Sequence, residues 1–145
     1  MVWATISVAM DTIRTRLATH DIKPTAQRVA IANIVLRSHR HPSADEVFEL
    51  VKKEHAAVSR ATVYNTMNLM VDKGLCKALV ITEGHVVYDP NMEPHHHLID
   101  EESGAIFDLP LEAVSVEIAD SIEGFDIQNV EVIVHGRRSA NPSGA

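Results

Sequence analysis

The chain has 145 residues, 46 % of them apolar but only 4 % aromatic, so any core it builds is aliphatic. Its net charge of −7 is unevenly spread: residues 1–82 carry 11 Lys and Arg against 7 Asp and Glu, whereas residues 83–145 carry 2 against 13, which suggests two parts facing a polyanionic and a cationic partner. The single cysteine, Cys76, excludes an internal disulfide framework and any four-thiolate zinc site, and no apolar run approaches the ~20 residues a membrane span needs.

The first residues, MVWATISVAMDTIRTR, lack the basic start and small-residue cleavage site of a secretory signal, which points to the cytoplasm. Residues 10–20 set Ile13 and Leu17 at helical spacing and end near His20 and Asp21. Residues 23–38, KPTAQRVAIANIVLRS, open on the helix-start residues Pro24 and Thr25 and repeat apolar positions at Val29, Ile31, Ile34, Val35 and Leu36. In HPSADEVFELVKKEH, Ser43 precedes Glu46 in the pattern of a capping box, with Val47, Leu50 and Val51 on one face. A fourth helix starts at Ser59, runs through Val63, Met67, Met70 and Val71, and stops at Gly74. The period then changes from that of a helix to that of a strand: LCKALVIT and GHVVYDP flank a Glu83-Gly84 turn, a β-hairpin. Past the linker NMEP come a strand HHHLID, a strand AIFDLP, a helix LEAVSVEIADSI, a strand VEVIVHG, and a flexible tail over residues 139–145.

Helices followed by a hairpin within the first 90 residues is the order of a winged helix-turn-helix, which sets its last helix in a DNA major groove. The fold class expected is therefore α+β: a winged helix-turn-helix domain over residues 1–90 and a small α/β domain over residues 91–138. The start of the fourth helix offers Ser59, Arg60, Thr62, Tyr64, Asn65 and Thr66. These types suit phosphate oxygens, guanine and thymine methyl groups, as they also suit an ordinary solvated helix. Lys23, Gln27 and Arg28 extend that face, although Arg28 equally fits an internal ion pair.

Three consecutive histidines, His95, His96 and His97, carry the second signal. On a strand, His95 and His97 share a face about 7 Å apart and His96 points away. Two imidazoles so placed converge on one ion at about 2.1 Å per bond. Asp108 on the next strand closes the same face, and Asp89 and His41 complete a set of three nitrogens and two oxygens. Without thiolate, such a set suits Fe(II), Mn(II), Zn(II) or Ni(II) and does not choose among them. A mononuclear metalloenzyme or a metal carrier fits the same ligands, but no unassigned general acid or base stands near the histidines, and we read the chain as not an enzyme. The bland reading of Cys76 is a small packing residue.

HPSADEVF, SRATVYNTMNLMVDKGL, VVYDP and HHHLID…SGAIFDL together resemble the ferric uptake regulator family of metal-responsive repressors, over residues 21–136. The resemblance implies a cytoplasmic homodimer bound to a palindromic operator in double-stranded DNA, with a DNA-binding domain, a dimerisation domain and one regulatory metal per subunit at the hinge. It implies that His41, Asp89, His95, His97 and Asp108 are the ligands, that Lys23 enters a minor groove, and that Arg60 and Tyr64 work in the major groove. This sequence departs from the family pattern in three respects. Asp100 and Ser103 stand where a cysteine pair is common and the second pair falls around Arg138 and Asn141, so no structural zinc is expected. Of a second histidine and carboxylate site only His96 is kept, its strand partner being Val130, with Glu112 and Glu117 out of register. Asp89 and Asp108 replace the glutamates of iron sensors, as in the peroxide-sensing branch. The triple histidine without cysteine pairs is most like the iron response regulator branch, which implies haem sensing at His95, His96 and His97 and control of iron and haem genes; the branch's Cys-Pro haem motif is absent, since Lys77 follows Cys76. Peroxide-responsive repression of oxidative-stress genes is the alternative.

Overall fold

The computed structural model describes residues 2–119 and 122–140, and in residues 2–10 the backbone alone. Two units divide between Met92 and Glu93. Most of the expected tail, and two residues of the expected helix LEAVSVEIADSI, lie outside the described residues.

The first unit has four helices and a hairpin: α1 (Val2–Thr19), α2 (Ala26–Arg37), α3 (Ala44–Lys52), α4 (Arg60–Asp72), β1 (Lys77–Thr82) and β2 (His85–Asp89). Each of α2, α3 and α4 starts on a hydroxyl cap. Thr25, Ser43 and Ser59 accept from the amides of Arg28, Glu46 and Thr62, donors that a helix end otherwise leaves without partners. At α3 the Glu46 carboxylate also accepts from the Ser43 amide at 2.7 Å, completing the capping box. α4 ends at Gly74, whose φ of +78° lets the Leu75 amide reach back to the Met70 carbonyl. The core is aliphatic, as composition required. Leu17, Ile31, Val35, Val47, Val51, Val63, Met67 and Met70 are fully enclosed, and α4 turns positions 63, 66, 67 and 70 inward at helical spacing. Two expectations fail here. Thr66 is buried rather than on the exposed face, and Leu50 is exposed, its inward place on α3 taken by Phe48.

The second unit is a three-stranded sheet with β3 (His96–Asp100) in the middle, antiparallel to β4 (Ile106–Leu109) and parallel to β5 (Ile133–Gly136). The helix expected over residues 111–122 is not there: one 3-10 turn, Leu111–Ala113, is followed by irregular chain through residue 119. Val116, Ile118 and Ile122 lie exposed. A short amphipathic helix draws most of its stability from packing its apolar face, and here that face covers nothing. No helix among the described residues is long and apolar enough to cross a membrane.

Candidate metal centre

In the first unit the hairpin is tied to the loop before α3. The Tyr88 amide donates to the Pro42 carbonyl at 3.0 Å, and Ser43 bridges to Val87. That tie sets His41 beside Asp89 at the end of β2, with His41 Nε2 3.3 Å from Asp89 Oδ2 and both side chains buried. His41 holds a left-handed φ of 51°. Asp21 does the same at 58° in the turn after α1; histidine and aspartate are among the residues with a Cβ that adopt this region most readily. Asp89 also accepts from the Asn91 amide at 2.8 Å, which fixes its carboxylate.

Cys76 lies beside this pair but is buried. Burial first and the Asp89 charge second push its thiol up to about 12, so at neutral pH it holds its proton and is a poor nucleophile. The folded chain should show no thiol labelling by a disulfide reagent at pH 8 and one equivalent after denaturation; fast labelling of folded protein would contradict this burial. Burial likewise raises the Tyr88 phenol, with smaller contributions from Cys76 and Tyr64.

In the second unit, β3 sets His97 directly opposite Asp108 on β4. His95, just ahead of the strand, packs edge-on against His97 with ring centroids 4.5 Å apart. Ligand atoms of His95, His97 and Asp108 lie within 4.8 Å of one another. Asp108 Oδ1 stands 3.4 Å from His95 Nε2 and 3.8 Å from His97 Nε2.

His95 Nδ1 lies 2.6 Å from the Glu93 carbonyl oxygen, which only accepts, so this nitrogen carries the proton and a neutral His95 presents a bare Nε2. His97 Nδ1 lies 2.9 Å from Glu131 Oε1, again an acceptor, which favours the same tautomer. The two Nε2 atoms are 3.0 Å apart. With both protons on Nδ1, two lone pairs face each other and repel unless a cation sits between them; with the His97 proton on Nε2, the contact is an N–H···N hydrogen bond. The donor set thus fits a divalent metal.

His96 does other work. It is buried on the opposite face, and its Nδ1 accepts the Val132 amide at 3.1 Å, so its proton is on Nε2. Turning Nε2 into a ligand would require moving that proton to the nitrogen already facing a donor. Of the three histidines expected as a haem region, this one is committed to the fold.

Where cysteines were expected in the family, Ser103 Oγ donates to the buried Asp100 carboxylate at 2.6 Å, the Glu102 amide donates at 3.1 Å, and Arg138 Nε stands 3.9 Å away. The Ser103 bond first, then the Glu102 amide, hold the Asp100 carboxyl below its ordinary range, with Arg138 adding a smaller push. A lowered carboxylate contributes stability above its unfolded value and loses it as pH falls through the folded value. Acid unfolding of Asp100→Asn should therefore be less steep than that of the unsubstituted chain below about pH 4; identical acid limbs in circular dichroism would refute the clasp.

The residues expected on DNA are spread over the first unit's surface. Tyr64 and Asn65 are exposed on α4, and Lys23 is exposed in the turn before α2. The Ser59 and Thr62 hydroxyls are hydrogen-bonded to each other within the cap at 2.9 Å. Gln27 is half-buried, and Arg28 braces the turn by donating to the Lys23 carbonyl at 3.2 Å. Arg60 is already engaged: it pairs with Asp45, stands 3.8 Å from Glu49, and stacks over the Phe48 ring at 4.5 Å. Glu131 is the residue that sequence reasoning missed, because only the pairing of β5 with β3 brings it to His97.

The family model described as the ferric uptake regulator family matches residues 19–135. The chain is 30 % identical over 117 residues to the peroxide-responsive repressor PerR of Staphylococcus aureus (strain Mu50), covering 79 % of each protein. Among solved structures it is similar to a zinc-bound manganese uptake regulator, with a TM-score of 0.64 and 25 % identity over 90 % of this chain and 99 % of that one. It shares the fold of the Vibrio cholerae ferric uptake regulator, with a TM-score of 0.64 and 21 % identity over 86 % of this chain and 98 % of that one.

Proposed function

Because the chain belongs to the ferric uptake regulator family, whose members are transcriptional regulators and not enzymes, we propose that it is a cytoplasmic repressor of iron and haem homeostasis genes governed by one divalent metal, Fe(II) or Mn(II), per subunit. In this reading His41 and Asp89 of the first unit and His95, His97 and Asp108 of the second serve the same ion. The observation that carries it is the pair of imidazole Nε2 atoms 3.0 Å apart, with the outer nitrogens turned to acceptors.

An ion held by donors from both units would favour one arrangement of the domains over the open ensemble. The chain's own residues do the rest. Tyr64 and Asn65 read base edges, Lys23 enters a minor groove, Gln27 and Ser59 meet the sugar-phosphate backbone, and Arg28 and Thr62 hold the turn and cap that present them. Arg60 reaches phosphate or guanine by exchanging Asp45 and Glu49 for it. A homodimer on a palindromic site follows from the same logic, since two half-sites raise affinity through effective concentration. The exposed apolar residues Val116, Ile118, Ile122 and Phe125 of the second unit support a partnered surface.

A gel-shift on operator-length DNA, with and without Mn(II) at several salt concentrations, tests the proposal. Retardation that depends on the metal and weakens steeply with salt is expected; retardation indifferent to metal rejects it.

Peroxide sensing is the second reading, favoured by the aspartates at positions 89 and 108 and by the likeness to a peroxide-responsive repressor. It requires that peroxide treatment of the Fe(II)-loaded chain add oxygen to His41, His95 or His97, detectable by peptide mass spectrometry. Haem signalling through His95–His97 requires instead a Soret shift that is lost when those residues are changed.

A further inference from the structure

We infer that Glu131, outside the ligand set, is a positioning residue that sets the tautomer and aim of His97. This rests on the metal reading above and assigns a role to a residue that reading leaves idle. His97 is enclosed at 2 % exposure, so its ring is oriented by a few neighbours rather than by water. Its backbone amide donates to the Val132 carbonyl at 3.1 Å, and in the parallel register its partner is Ile133. The segment leading into β5 is thereby fastened along the histidine strand, and Glu131 is carried to 2.9 Å from Nδ1.

At that distance the nitrogen and carboxylate are in contact, though not aligned as a full hydrogen bond. The chemistry is that of a carboxylate behind a metal-bound imidazole: it holds the proton on Nδ1, keeps the Nε2 lone pair forward, and raises ligand basicity. Glu131 approaches the nitrogen that faces away from His95, so it acts through His97 rather than on the ion. The neighbouring His96 accepts the Val132 amide, which makes residues 131 and 132 a common brace for two consecutive histidines with different duties.

The experiment uses the full chain, its Glu131→Ala and Glu131→Gln variants, and Zn(II) as a diamagnetic probe. Affinity is read by competition with a chromophoric chelator, and the His97 Nδ1–H resonance by nitrogen-correlated NMR. Glu131→Ala should bind Zn(II) about 10–100-fold more weakly and lose the protected Nδ1–H signal to solvent exchange. Glu131→Gln, which still offers an oxygen acceptor, should retain the signal and part of the affinity. Unchanged affinity together with an unshifted resonance in both variants overturns the assignment. Should the alanine variant fail to fold, the glutamine variant alone decides, by whether the resonance moves. If the unsubstituted chain itself takes up no Zn(II), the metal reading falls and this role falls with it, a result distinct from equal binding by all three proteins.

Discussion

His97→Ala is expected to weaken Mn(II) binding by more than about 100-fold, since removing only an outer partner of a ligand histidine already costs about 10–100-fold. His97 is the most enclosed of the candidate ligands in its unit, at 2 % exposure, and it stands beside that unit's other members of the arrangement: His95 at 3.0 Å, Asp108 at 3.8 Å and Glu131 at 2.9 Å. Its removal leaves the second unit with two candidate donors, the His95 Nε2 and one Asp108 oxygen, 3.4 Å apart. Anaerobic titration read by DNA affinity should show metal-free behaviour at every Mn(II) concentration that saturates the unsubstituted chain. A titration curve superimposable on the unsubstituted one would end the metal reading, provided the thermal melts agree.

The second large effect separates two residues on one helix. Met67 on α4 is wholly enclosed, and Tyr64, one turn earlier, is 42 % exposed. Met67→Ala should cost about 2–5 kcal/mol of stability through lost transfer energy and the cavity left behind. Tyr64→Ala should stay within about 0.5 kcal/mol of the unsubstituted stability yet weaken operator binding. Urea unfolding and a DNA titration on the same two proteins check both halves. A destabilised Tyr64→Ala, or one that binds DNA normally, would remove Tyr64 from the reading face.

The local devices were legible because they depend on neighbours in sequence. Thr25, Ser43 and Ser59 could be read as caps, Gly74 as a stop and Glu83-Gly84 as a turn from residues three or four apart. The pairing of His95 with His97 followed from strand alternation, and Asp108 from the Gly104 turn that folds β4 back onto β3. Sequence failed where a tertiary partner decides the outcome. Residues 111–122 carry helical spacing at Leu111, Val114, Ile118 and Ile122, yet periodicity states only which face a helix would bury, not that anything waits to cover it. Thr66 looked like a contact residue by type, but its place one turn from Met70 turns it inward. Arg60 looked free for DNA because Asp45 and Glu49 lie on a different helix. Glu131 left no local trace at all, its partner being 34 positions away.

The strand order of the second unit has a kinetic consequence. β3 and β4 are neighbours along the chain and close through a short turn, whereas β5 joins β3 in parallel only after a loop from Asp100 to Ile133 has been closed. Long-range parallel pairing is slow, because the entropy of closing the loop is lost before any contact repays it. The pairing of His97 with Asp108 therefore closes a much shorter loop than the pairing of β3 with the strand that carries the brace. The donors on β3 and β4 thus depend on local closure, and the brace on His97 depends on the long-range one.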